Sequence, residues 1–130
     1  MDIEMSNEAE SGDKRRFLRV PFESEVLLSN DRSSWSCHLL DISLKGVLIT
    51  CPDNWVAELQ DQFQLLLILE PSDISIRMET SVAHMEDDRV GLICQHIDID
   101  SISHLRRLLE LNAGNSEILE REISELIHYS

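Results

Sequence analysis

The sequence predicts a mainly β domain, an antiparallel barrel or sandwich of about six short strands, followed by two helices. Three observations carry this. Between Val20 and Ile97 the apolar residues recur with period 2, most clearly in "ISIRMETSV", where Ile74, Ile76, Met78, Thr80 and Val82 alternate with Ser75, Arg77, Glu79 and Ser81. Tight polar turn clusters separate these runs, and no helical pattern intervenes. Beyond Ile97 the apolar period lengthens to that of a helix.

In chain order, residues 1–13 ("MDIEMSNEAESGD") read as a disordered tail, polar and acidic. The runs "PFESEVLLS", "WSCHLLDIS" and "GVLIT" are the first three strands, divided by "NDRSS" and "LKG". A longer connection, "CPDNWVAELQDQ", has room for a helical turn. "FQLLLILE" (63–70) ends at Pro71, "ISIRMETSV" follows, and "RVGLICQHI" (89–97) is entered through the turn-forming "EDD". The first helix places Ile102, Leu105, Leu108, Leu109 and Leu111 at helical spacing, with Asp100 or Ser101 as cap and Gly114 at its end. The second starts at Asn115 or Ser116 and carries an apolar stripe of Ile118, Leu119, Ile123, Leu126 and Ile127. The expected organisation is a tail (1–13), one domain including the first helix (14–112), and an amphipathic C-terminal helix packed on or extending it (113–130).

Composition excludes several function classes. At 130 residues and 42% hydrophobic content the chain builds one core. No apolar run of about 18 residues exists, so no membrane insertion by a helix is expected. The acidic N-terminus has neither the basic nor the apolar region of a secretion signal, which makes a cytoplasmic location the expectation. A formal net charge of −14 argues against long nucleic acid as a partner. A small anion is another matter, because it feels a patch within about 8–10 Å more than distant charges.

Several constellations read as structural. Cys37, Cys51 and Cys94 are widely spaced without a CxxC pattern and read as free, mostly buried thiols. His96, Asp98, Asp100 and His104 tempt a metal reading, but capping by Asp100 is simpler, and no metal is expected. Arg106 and Arg107 pair with carboxylates on a wet helix face. Trp35 and Trp55 suit core or surface equally. No GxSxG, HExxH, P-loop or Cys–His arrangement is present, so no enzyme is predicted.

Two motifs remain. "KRRFLR" (14–19) gathers four of the chain's 11 basic residues and contains Arg15-x-x-x-Arg19. Twenty-two residues after Arg19 begins "DISLKG", Asp41-x-Ser43-x-x-Gly46. Alone, the first is a solvated basic tail and the second a hairpin turn in which Gly46 supplies a positive φ. Together, in this order and at this spacing, they resemble the PilZ domain family, bacterial receptors for the second messenger cyclic di-GMP. The likeness covers residues 14 to 112. "RMETSVA" and "CQHIDIDSISHLRRLLELN" extend it towards the stand-alone, single-domain members of Pseudomonas-type bacteria.

The resemblance implies a six-stranded antiparallel, split-barrel-like β-barrel with C-terminal helices, binding cyclic di-GMP and using no cofactor. Arg15 and Arg19 would contact phosphate and the guanine Hoogsteen edge, Asp41 and Ser43 the guanine base, and Gly46 would keep the turn tight and admit the ligand to the backbone. The chemistry agrees. A guanidinium fork pairs bidentately with phosphate or with O6/N7 of guanine, and a carboxylate accepts from guanine N1–H and N2–H₂. Lys14 and Arg16 add cations, and Lys14's place ahead of the motif favours two ligand molecules per chain. His84 stands where close relatives carry Trp. By alternation it shares the Ile76–Met78 face near a barrel mouth, where its ring would stack on guanine. The expected partner set is the nucleotide and an unidentified downstream protein, with the receptor itself a monomer. Two other readings compete: a PilZ-fold protein–protein adaptor acting without nucleotide, and a small barrel binding single strands. The second would want aromatics on a basic groove, and this chain is only 5% aromatic.

Overall fold

The computed structural model describes residues 2–4, 19–69 and 73–113, together with Arg121 and Ser124. Its elements are β1 (Asp2–Glu4), β2 (Val20–Ser29), β3 (Ser34–Ile42), β4 (Gly46–Thr50), β5 (Gln62–Leu69), β6 (Ile74–Glu86), β7 (Arg89–Asp98) and α1 (Ile99–Ala113). All strand pairs are antiparallel, in the order β7-β4-β3-β2-β5-β6, and β6 pairs back onto β7. Six strands therefore close into a barrel, as expected, and closure leaves no bare edges along the paired lengths. β1 is an addition. It pairs with β7 at Asp98, Ile97 and His96, on the stretch of β7 beyond its pairing with β4. Residues 1–13 were expected to be disordered, yet this short strand forms within them. The rest of that segment lies outside the described residues.

Period-2 alternation builds the interior. Leu28, Leu39, Ile49, Leu65, Leu67, Ile76 and Met78 are fully buried inside the barrel. The row Val20–Ile42–Val47–Leu92–Val82 crosses five strands, and every member is buried. Trp35 and Trp55 both meet Phe63, with ring centroids 5.8 and 5.2 Å away, at the barrel end where β3 and β5 begin. Trp55 is buried and Trp35 half-buried, so both tryptophans belong to the core. The 51–61 connection contains turns and no helical turn. Asn54 and Gln60 adopt positive φ there, and Gln60 N–H donates to the Val82 carbonyl at 2.6 Å.

Helix α1 packs on β6, β2 and β7 through Ile102, Leu105, Leu108 and Leu109. Leu111 departs from the expected stripe. It lies about 200° round the helix from Leu109 and is exposed. The cap also differs from the expectation. Asp98, the last residue of β7, accepts the Ser101 amide at 3.0 Å, so it is Asp98 that occupies the cap position, and Asp100 falls in the first turn. Ser101 Oγ accepts the Arg77 amide at 3.0 Å, joining the helix to the part of β6 that lies beyond β7. Arg106 stands 3.9 Å from Glu110 one turn on, as its wet-face reading expects. Gly114 and the apolar stripe of the second helix lie outside the described residues. Arg121 and Ser124 are helical and exposed.

Gly46 sits where the β3–β4 turn meets β7. A Cβ there would lie 2.1 Å from the Leu92 carbonyl oxygen, with Ile93 Cα only 3.2 Å away. Its φ is not positive, so close backbone approach, and not a left-handed turn, is what requires glycine. Gly46→Ala should cost about 1–3 kcal/mol of folding stability, read from urea denaturation, because backbone must move to admit the methyl. Partial burial works to raise the Asp98 pKa, but bonds from the Ser101 hydroxyl and amide, with nearby Arg77, hold it below its ordinary value. The depressed value means Asp98 stabilises above the ordinary carboxylate pKa and loses that contribution as pH falls through the lowered one. Asp98→Ala should therefore cost about 1 kcal/mol at neutral pH and progressively less below about pH 4, in denaturation curves taken across that range.

Candidate functional site

Arg19 is the last residue before β2, and register brings it to the end of β3. Val20 faces Ile42 and Pro21 faces Asp41. Proline is tolerated there because β2 has only β3 beside it at that point, pairing with β5 from Val26 onward. Arg19 Nη1 donates to Asp41 Oδ1 at 2.8 Å, so the two sequence motifs touch. The Arg19 side chain is 55% exposed and that of Asp41 23%. Among the described residues this bond engages a single donor of a five-donor fork.

Asp41 reaches the surface because β3 is bulged. Cys37 and Leu39 point inward, and strict alternation would send Asp41 in as well. Between Leu39 and Asp41 the strand advances two residues while β4 advances one, from Ile49 to Leu48. The extra residue swaps faces, burying Ile42 and turning Asp41 outward. A second irregularity, between Pro21 and Ser24 on β2, lies on the other side of Asp41.

The "DISLKG" turn is held from within. Ser43 N–H donates to the Gly46 carbonyl at 2.9 Å. Ser43 Oγ accepts from Lys45 and Gly46 amides at 3.2 and 3.3 Å and reaches the Gly46 carbonyl at 3.3 Å. Ser43 is 2% exposed and Leu44 is fully buried, while the Lys45 carbonyl accepts the Cys94 amide at 2.7 Å. As folded, Ser43 shapes the turn, and its hydroxyl is buried among the turn's own backbone groups.

His84 does not share the Ile76–Met78 face. The alternation runs through Ile76, Met78, Thr80 and Val82, and a bulge between Val82 and His84 then flips it. His84 instead pairs with Gly91, is 61% exposed, and bonds Glu86 through Nε2 at 3.0 Å. This moves it onto the outer surface with Asp41. Pro21, Asp41, Leu48, Gly91 and His84 form one register row across five strands. Asp41 and His84 are three strand spacings apart, about 14 Å. Between them lie half-buried Leu48 and Gly91, whose missing Cβ would sit 3.3 Å from His84 Cβ. Sequence reasoning missed both. A glycine inside a strand pattern is itself a signal of bulge or close approach, and could have marked Gly91.

Lys14, Arg15 and Arg16 lie outside the described residues. Beyond Gly91 a shallow cavity of about 440 Å³ is lined by Leu48, His84, Glu86, Asp87, Asp88 and Arg89. A larger one of about 560 Å³, on the outer face of β5, β6 and β7, includes no motif residue. Its Gln62, Gln64, Glu79 and His96 make it polar, with no convergent cation. Among the described residues no cluster of three His, Cys, Asp or Glu could hold a metal, and no helix is long and apolar enough to cross a membrane.

The match to known proteins is consistent with this geometry. A family model described as "PilZ domain" covers residues 13–111. Among solved structures, the Bacillus subtilis inhibitor of motility (MotI/DgrA) superposes with a TM-score of 0.65 at 16% identity, over 79% of this chain. The present chain spans about half of that protein, 53% of its length. The PilZ domain of CeSA from a cellulose-synthesising bacterium superposes at 0.53 with 14% identity, over 75% of this chain and 96% of that one. At these identities the structural likeness speaks for the fold.

The Arg19–Asp41 pair is exposed enough for water and salt to weaken it. A double-mutant cycle on Arg19→Ala and Asp41→Ala should give a coupling of only about 0.2–1 kcal/mol in folding stability. A coupling above 2 kcal/mol in thermal or chemical denaturation would contradict the surface geometry.

Proposed function

This chain belongs to the PilZ domain family, and on that premise we propose that it is a receptor for cyclic di-GMP whose site joins the Arg15–Arg19 arm to the outer row of the barrel. PilZ is a binding and adaptor family, and its members are typically cyclic di-GMP effectors. The observation that carries the reading is the 2.8 Å bond between Arg19 and Asp41, one from each motif. It sets a phosphate- and guanine-binding fork beside a carboxylate that accepts from the guanine donor edge.

In this reading the pair is a ligand-free resting state. The unused donors of Arg19 take a phosphate oxygen or the O6/N7 edge, and Asp41 turns to guanine N1–H and N2–H₂. Arg15, Arg16 and Lys14 supply the remaining positive charge. Ser43 and Gly46 act indirectly, holding the turn that aims Asp41. Leu48 and Gly91 offer a flat floor on which a base can lie, and His84 bounds it with a ring able to stack. Lys14 and Arg16 favour two ligands per chain, since a stacked pair brings four phosphate charges. The protein acts as a cytoplasmic monomer, and binding orders residues 8–20 and changes the charge that a downstream protein meets.

Ordering the arm costs about 1–2 kcal/mol per residue fixed, and charge-assisted bonds of about 1.5–3 kcal/mol each offset it. Losing one such bond corresponds to roughly 10- to 150-fold weaker binding. Calorimetry with cyclic di-GMP should show micromolar or tighter binding by the wild type, weakened at least that much in Arg19→Ala and Asp41→Ala. Saturation at two equivalents and slowed amide exchange in residues 8–20 are expected alongside. A wild type that gives no heat and no exchange change is an adaptor acting without nucleotide.

A further inference from the structure

Two of the chain's three cysteines lie at the open end of the β3–β4 hairpin, Cys37 within β3 and Cys51 one residue past β4. Leu39 faces Ile49, and the next step is made when the His38 amide donates to Thr50 Oγ1 at 3.1 Å. Continued one residue further, past the end of the paired register, the same alignment sets Cys37 opposite Cys51. Two-residue steps from Leu39 and Ile49, both fully buried, put the two cysteines on the same inward face. Cys37 is buried there, and Cys51 is half-buried against the same core.

The hydrogen bonding defines the kind of pair. Cys51 N–H donates to the Asp88 carbonyl at 2.6 Å, on the side away from β3. Cys37 and Cys51 therefore form a non-hydrogen-bonded antiparallel pair, for which Cα atoms lie about 4.5 Å apart. A disulfide takes Cα separations of roughly 4.4–6.8 Å, so the strands need not move far to accept one. The Cys37 thiol is pushed up to about 11, first by burial and then by the charge of Cys51 close by. Cys94 is elsewhere in the core, wholly buried, with its thiol on the His96 carbonyl and pushed up to about 12 by burial.

We propose that Cys37 and Cys51 are an oxidisable dithiol that closes to a cross-strand disulfide at the open end of the β3–β4 hairpin, with hydrogen peroxide or an organic hydroperoxide as oxidant. Cys51, the more exposed, attacks first. Its sulfur takes one peroxide oxygen as the O–O bond breaks, giving a sulfenic acid and releasing water from hydrogen peroxide or the alcohol from an organic hydroperoxide. Cys37 sulfur then displaces that oxygen: the S–S bond forms, the S–O bond breaks, and hydroxide leaves with the Cys37 proton as water. Two thiols lose two electrons in all, and one peroxide gains them. The closed loop contains Asp41 and the 43–46 turn, so the modification fastens the strands that aim Asp41.

Full-length protein treated with stoichiometric hydrogen peroxide, without denaturant, should lose two mass units and two of its three free thiols. Peptide mapping should join Cys37 to Cys51 within one chain. The oxidised form should melt several degrees higher, and dithiothreitol should reverse the shift. Cys51→Ser, at the less buried position, should abolish the mass loss while melting like the reduced wild type, and Cys94→Ala should retain it. A link to Cys94, a link between chains, a sulfinic Cys51 beside a free Cys37, or three thiols surviving peroxide would each overturn the proposal. None of these readouts involves nucleotide, so the outcome is independent of the ligand assigned above.

Discussion

The backbone of β7 is the surface on which the rest of the barrel is aligned. It takes β6 along one side, and β4 and then β1 along the other. The β3–β4 turn must meet it at contact distance, where Gly46 lies against the Leu92 carbonyl and the Lys45 carbonyl takes the Cys94 amide. A side chain at position 46 would push β4 away, and with it the register that sets Leu48 opposite Gly91 and Asp41 opposite Leu48. The outer row through Asp41 is thus a consequence of one glycine lacking a Cβ. Ser43 serves the same end, spending its hydroxyl on the turn and burying itself beside Leu44.

A closed six-stranded barrel with strict alternation would devote one whole face of every strand to its core. Bulges release this chain from that rule where polar groups are needed. The irregularity in β3 exposes Asp41 while burying Ile42, and that in β6 moves His84 outward after four buried alternate positions. Each inserts one residue and exchanges the faces beyond it. The same device acts twice, on strands three apart, and both displaced residues arrive on one register row.

Much of the fold was legible in the sequence because burial imposes period 2, and the alternation through "ISIRMETSV" survives intact as Ile76, Met78, Thr80 and Val82. The approach of Arg19 to Asp41 accords with the family resemblance that the two motifs carry. What escaped depends on single-residue register. His84 was placed inside because nothing in "SVAHMEDD" announces a bulge. Asp98 was passed over as cap because the last residue of β7 and the first turn of α1 share one carboxylate-rich stretch, "DID". Gly46 was identified, but for a left-handed turn, since a close approach to a strand forty-six residues away has no local signature. The β1 pairing escaped for the same reason: a strand of only three residues gains its place from β7.

Charge gives a physical reason for the proposed site to draw its cations from outside the barrel. On a chain of net charge −14, a preformed cluster of four cations on the barrel would collapse onto nearby carboxylates and lose the desolvation advantage that ligand binding needs. Arg19 illustrates the alternative. Its own half-exposed side chain is anchored by one oxygen of the more buried Asp41, in an ion pair that water and salt weaken. In the proposed receptor Lys14, Arg15 and Arg16 would join Arg19 only when an anion is there to relieve their mutual repulsion. On that proposal the site would favour a compact, multiply charged anion. Such a ligand would have to stay beside Arg19 and carry enough charge to gather the other cations against the field of a chain with 25 acidic residues.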